Sequence, residues 1–332
     1  MSVTSSRKKR SVLLATLGLL LFALGCAQSL SAEPRKSIAY VAMGPGKAIA
    51  VVDLAAGRVL ARFALSVEPH GVAVSPDGRW VFAADLTKGD SLEVVEGKSG
   101  TVTQRVAVGK GSHHLTLDPD GRWLLVTLPE TGRAAVVDVQ AMQAVGEINT
   151  GVGANYAVFA PDGRIAYVSN MGANNVAVID VAVLRVTRKI PVKQAPGHMA
   201  IASDGQRIYV VNEGSGTLAV LDMARGKVLK TVRVGNEPHG ISLSRDGMRA
   251  YVSSREDGTL AAVDTGTMTV LQTARVGADP EHVETTPDGR WVVVARPEAG
   301  ELVVLDAKSL AAVRTIAVGK EPHQIGFALI RN

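Results

Sequence analysis

The chain has 332 residues, 46% apolar, 20% charged and 4% aromatic, with 34 glycines and one cysteine. That apolar share supports a sizeable core and argues against disorder, and a single Cys excludes an internal disulfide framework or a multi-cysteine zinc site. The net charge of +5 is mostly N-terminal: removing Arg7, Lys8, Lys9 and Arg10 from the 36 basic residues leaves 32 against 31 acidic ones, so nucleic acid is not an expected partner.

The first element in chain order is an export signal. Ser6-Arg7-Lys8-Lys9-Arg10 is a positive lead, Val12 to Leu24 an apolar run, and Gly25-Cys26-Ala27 a small-residue close. The apolar run is well short of the roughly 20 residues that a spanning helix needs. This order predicts residues 1–26 as a signal peptide, 27–36 as a linker, and a periplasmic protein. Ala23-Leu24-Gly25-Cys26 resembles a bacterial lipobox, and cleavage before Cys26 would put a lipid there and tether the protein to a membrane. It departs from that pattern, which has Leu three before the Cys and a small residue two before. Cuts after Ala27 or Ala32 also fit and discard Cys26. No other membrane contact is expected.

Residues 37–332 read as one repeated unit. Asp-Gly recurs at Asp77, Asp120, Asp162, Asp204, Asp246 and Asp288, at spacings of 43, 42, 42, 42 and 42. Each is flanked by short stretches rich in Val, Ile and Leu, such as Gly71-Val72-Ala73-Val74 before and Ile165-Ala166-Tyr167-Val168 after. A Gly-containing loop, a Val-Ala-Val-Ile-Asp stretch (176–180) and a fourth stretch follow. Such runs predict antiparallel strands, and Asp-Gly between two of them is a strong hairpin signal because the turn needs positive φ. Four strands per 42 residues is one propeller blade. A seventh unit is split. Ile38-Ala39-Tyr40-Val41 matches the second strand, and Pro322-His323-Gln324-Ile325-Gly326-Phe327 matches the first. The expected fold is therefore all-β: a seven-bladed propeller of four-stranded blades, closed by a C-terminal strand that completes the N-terminal blade.

Ala166-Tyr167-Val168-Ser169-Asn170, Ile208-Tyr209-Val210-Val211-Asn212 and Val-Gly-x-x-Pro-His-Gly from Val234 to Gly240 resemble the YVTN-type propeller repeat, over about residues 37–329. The resemblance implies kinship with the propellers that bind d1 haem and with the nitrous oxide reductase propeller. It implies no single activity, since fold does not give function.

All seven histidines fall in the loop that leads into the innermost strand of a blade. His70, His113 and His239 stand seven before the Asp of Asp-Gly; His114, His198 and His282 stand six before; His323 holds the seven-before place in the split blade. This predicts a partial crown of imidazoles at one mouth of the channel. Imidazole suits copper, zinc, iron and nickel and is a usual axial haem ligand. The crown therefore offers a metal site, and the resemblance implies copper or haem as cofactor. Duplication of a repeat would also copy Pro-His-Gly, and a backbone-bonded structural role stands beside ligation. On a regular strand, adjacent positions point to opposite faces, which sets the two histidine groups against convergence.

The loop between the second and third strands of each blade opens on the same mouth and carries Asp85, Glu130, Glu213, Arg255, Glu256, Arg296 and Glu298. These are candidates to orient imidazoles or simply solvated charges. Glu284 replaces a mostly small residue of the innermost strands (Ala73, Ala200, Ser242, Gly326) and is expected beside the channel. Three functions are consistent with this inventory. One is a binding or scaffold protein for a small ligand, a metal or haem, or a periplasmic redox protein. Another, implied by related propellers, is a lactonase- or lyase-like enzyme using His239, His282, Glu256 and Glu284. The last is a copper- or haem-loaded redox protein.

Overall fold

The computed structural model describes residues 37–85 and 89–329. The signal segment, Cys26 and the linker to residue 36 lie outside the described residues. No helix among the described residues is long and apolar enough to cross a membrane.

Seven four-stranded antiparallel sheets form the seven blades. Blade 1 joins Pro322–Leu329 to Ser37–Met43, Ala48–Asp53 and Arg58–Ala64. The innermost strands of blades 2 to 7 are Pro69–Val74, Leu115–Leu117, Ala154–Phe159, Pro196–Ile201, Pro238–Leu243 and Val283–Thr285. In blade 1 the closing strand pairs Phe327 with Ala39 and Ile325 with Val41. This removes the free inner edge that an open array would leave.

The repeat residues do what their chemistry requires. The Asp-Gly glycines sit in the left-handed region, Gly78 at φ 71° and Gly289 at φ 72°, where a side chain is costly. Asp77 Oδ1 accepts the Ser75 hydroxyl at 2.6 Å and the Arg79 N–H at 3.0 Å, which holds the turn. At the other turn of the blade, Asp138 Oδ1 accepts the N–H groups of Gln140 and Ala141, and Asp53, Asp180, Asp222, Asp264 and Asp306 do likewise. Trp80, Trp123 and Trp291 pack within blade cores, each under the guanidinium of the preceding Arg at 4.8 Å.

The core lies between neighbouring blades rather than in one central mass. Val41, Ala50, Ile325, Val293, Val304 and Ile316, from blades 1 and 7, form one such cluster. Alternate residues of each middle strand face opposite neighbours, so those strands are apolar on both sides. Ala48–Asp53 is buried throughout, whereas the outermost Arg58–Ala64 alternates with solvent.

Candidate functional site

One irregularity recurs where the histidines stand. In blade 5, Pro196 pairs with Asn212 and Met199 with Val210, so Gly197 and His198 together oppose Val211. In blade 6, His239 and Gly240 oppose Ser253; in blade 4, Asn155 and Tyr156 oppose Ser169; in blade 1, His323 and Gln324 oppose Ala42. This is a β-bulge, which bends the strand and re-aims its side chains. The bulge overrides the alternation of a regular strand, and the seven-before and six-before positions both turn toward the channel. Hydroxyls opposite the bulge satisfy the freed N–H groups: Thr127 Oγ1 accepts from His114, Ser169 Oγ from Tyr156 and Ser253 Oγ from Gly240.

Just upstream, Ala195, Glu237, Asp279 and Glu321 adopt positive φ of 45–52°, a strained choice for non-glycine residues. The carbonyls of Ala195, Glu237 and Glu321 accept N–H groups of Glu213, Arg255 and Gly44, the first residues of the loops between second and third strands. The two loop types are thereby pinned together at the mouth. Gly44-Pro45-Gly46-Lys47 is one of these loops, between Ser37–Met43 and Ala48–Asp53.

The side chains form a ring of close contacts that starts at His113 and ends at its chain neighbour His114. Ring centres lie 4.3 Å apart for His70–His113, 3.6 Å for His114–Tyr156, 4.2 Å for Tyr156–His198, 4.4 Å for His198–His239, 5.7 Å for His239–His282, 6.4 Å for His282–His323 and 4.5 Å for His323–His70. Tyr156 fills the place of the blade that lacks a histidine. All seven sequence-predicted imidazoles are therefore brought together.

Their nitrogens differ in what they meet. The Ala157 N–H donates to Nδ1 of His114, whose Nε2 faces the Gln324 amide at 3.1 Å, so this ring is held by protein on both sides. Nδ1 of His113 donates to the Asn155 carbonyl at 3.1 Å. Nδ1 of His323 lies 3.2 Å from Glu281 Oε2, and Nδ1 of His239 lies 3.2 Å from Glu213 Oε1, the latter pair not aligned as a hydrogen bond. His198 is 2% exposed, and neither of its ring nitrogens has a partner; Nε2 of the buried His282 also has none. His70, His282 and His323 present ligand atoms within 4.8 Å of one another, and so do His198, His239 and His282.

Burial holds His70, His113, His114, His198 and His282 below the ordinary imidazole pKa, His113 at about 4, with repulsion from neighbouring imidazoles adding to it. These rings are neutral at pH 7, and those with a free nitrogen, unlike His114, are able to ligate. Burial pushes the Glu281 carboxyl up, but the His323 hydrogen bond and the nearby Arg255 guanidinium help to outweigh it, and the net shift is downward. Glu284, on Val283–Thr285, is half-buried, and desolvation pushes its carboxyl up to about 8.

Of the predicted rim charges, Glu213 reaches the crown directly and Arg255 reaches it through Glu281, at 3.4 Å. Arg255 also holds Asp279 at 2.9 Å. Arg296 pairs instead with Glu301 at 3.1 Å. Glu256 lines a rim cleft of about 530 Å³ with Glu213, Arg233, Asn236 and Arg255. Glu281 was not among the sequence candidates, although it stands seven before Asp288, in a histidine place. The imidazole edges and faces are too close for a macrocycle to lie among them, so a haem would fit only above the rim. A metal ion fits among them: donors of the right type converge, and several lack partners.

A family model for YNCE-like β-propellers matches residues 120–248, and one for the cytochrome D1 heme domain matches residues 203–324. No curated protein matches the sequence significantly. Among solved structures, the periplasmic gluconolactonase PpgL of Pseudomonas aeruginosa superposes with a TM-score of 0.74 at 23% identity, covering 88% of this chain and 98% of that one. Hydrazine synthase of Kuenenia stuttgartiensis gives 0.69 at 22%, covering 78% and 89%. The dihydro-heme d1 dehydrogenase NirN gives 0.65 at 20%, covering 87% and 74%. At these identities the likeness concerns the fold. Fold and repeat together define a seven-bladed β-propeller of the YVTN repeat type. Within that class the stretch from residue 120 to residue 324 is similar to the YNCE-like propellers and to the cytochrome D1 heme domain.

Proposed function

We propose that this propeller is an exported binding protein that holds a divalent transition-metal ion, of the zinc or copper kind, at the imidazole-lined mouth of its channel. The observation that carries the reading is His198, buried with both ring nitrogens unpartnered between His239 and His282. A buried polar atom without a partner costs about 1–3 kcal/mol. An ion at His198, His239 and His282 removes that cost at one of the two His198 nitrogens. Glu213 beside Nδ1 of His239 supplies the outer carboxylate that orients such a ligand.

Charge favours a cation over an anionic ligand. Among the described residues of the mouth loops, acids such as Glu68, Glu130, Glu237, Glu256, Asp257 and Glu298 outnumber lysines and arginines. An acidic rim over a cleft concentrates cations. Export follows from the charged, apolar and small-residue order of the first 26 residues. The lactonase-like set His239, His282, Glu256 and Glu284 is less well supported, because Glu256 sits in the rim cleft and neither Glu256 nor Glu284 pairs with His239 or His282, whereas Glu213 lies beside His239.

The test is competition between the full chain, stripped by a chelator, and a colorimetric chelator for Zn²⁺. The wild type is expected to hold zinc, and His198→Gln to weaken it at least tenfold. Equal retention by the two proteins would overturn the assignment.

A further inference from the structure

We propose that His282 bridges two metal ions, so that the crown holds a pair of ions rather than one. This rests on the metal-binding reading above and goes beyond it. Two trios of imidazoles have converging ligand atoms, His198 with His239 and His282, and His70 with His282 and His323; His282 is common to both. Its ring lies 4.7 Å from His198 and 5.7 Å from His239 on one side, and 6.0 Å from His70 and 6.4 Å from His323 on the other. It stands at 70–90° to all four, so it stacks on none of them.

A bridging imidazole needs both nitrogens free, and His282 meets that condition. Nε2 is buried without a partner, and no described residue hydrogen-bonds Nδ1. His114 shows the contrast, with protein groups on both nitrogens.

The two trios are also built alike. Each contains one imidazole whose Nδ1 faces a carboxylate: His239 with Glu213, and His323 with Glu281. That pairing leaves Nε2 of each ring as the donor to an ion. Arg255, itself paired with Asp279, holds Glu281 in place from the rim. A single ion at His198, His239 and His282 gives the Glu281–His323 pair nothing to orient; a second ion at His70, His282 and His323 does. When the second ion binds, the remaining N–H bond of His282 breaks, a metal–nitrogen bond forms in its place, and one proton passes to solvent. The resulting imidazolate puts negative charge between the two cations.

The experiment titrates the full metal-free chain with Zn²⁺ and, separately, Cu²⁺. Two equivalents of zinc are expected to resist the competing chelator, falling to one in His70→Gln and one in His198→Gln, and to none in His282→Gln. The copper arm needs no variant. Two cupric ions joined by an imidazolate couple magnetically, so the electron paramagnetic resonance signal should rise to the first equivalent and fall with the second. One retained equivalent, or two with the full signal of uncoupled ions, overturns the bridge and leaves the single-ion reading standing. No retained ion overturns both.

Discussion

His70, His113, His114, His198 and His282 are kept neutral by burial, and this has a consequence for stability. Their folded-state pKa values lie below the unfolded value of 6.5, so below that pH the unfolded chain binds protons that the folded chain refuses. Stability is therefore lost as pH falls from about 6.5, and for His113 the loss continues to about 4. That ring alone is worth about 3 kcal/mol across the window. Glu284 acts in the opposite sense: raised to about 8, it costs stability as pH rises from 4.5 toward 8. Urea unfolding of the metal-free chain should thus show a lower midpoint at pH 5 than at pH 7, and Glu284→Gln should raise the midpoint at pH 8 while leaving pH 4 nearly unchanged. A flat profile from pH 7 to pH 5 would contradict the buried, neutral crown. Counting back from Asp-Gly made the histidines legible in the sequence as one ring. The same count reaches Glu281, but its role rests on the approach of His323 from the neighbouring blade, which spacing alone does not carry. The approach of Glu213 to His239 was not legible, since it depends on a loop fitting into the space that Gly197 leaves by having no side chain.

The strands were legible from their apolar runs and turn residues, but the bulges were not. A bulge depends on which residue of the partner strand is skipped, and alternation within a single strand does not carry that information. In two blades Gly follows His at the bulge. Gly71 follows His70, and a Cβ there would lie 2.5 Å from the His113 carbonyl. At Gly240, which follows His239, a Cβ would press on the Glu281 carbonyl and the Val283 N–H. Neither glycine has positive φ, so the constraint is the close approach of the next blade. Gly240→Ala should destabilise the fold by about 1–3 kcal/mol, the usual range for overpacking. Urea titration checks this, and an unchanged midpoint would mean that the blades are not so tightly apposed at the crown.

Ring closure was legible at the scale of the whole molecule because the two ends carry complementary parts of one blade. The strand Pro322–Leu329 brings the buried Ile325 and the crown residue His323 to the N-terminal blade. Deleting residues 320–332 opens the ring, and burial of Ile325 alone is worth about 1.5–3 kcal/mol. The truncated chain should melt well below the full one, and an equal melting temperature would contradict closure. Convergence of seven distant imidazoles depends on that closure, and so does the metal reading. X-ray absorption at the zinc edge of the loaded full chain tests it most directly. Each ion should show a shell of imidazole nitrogens at about 2.0–2.1 Å, at least three per ion. A shell of oxygen alone, or zinc lost on simple dialysis, would contradict it.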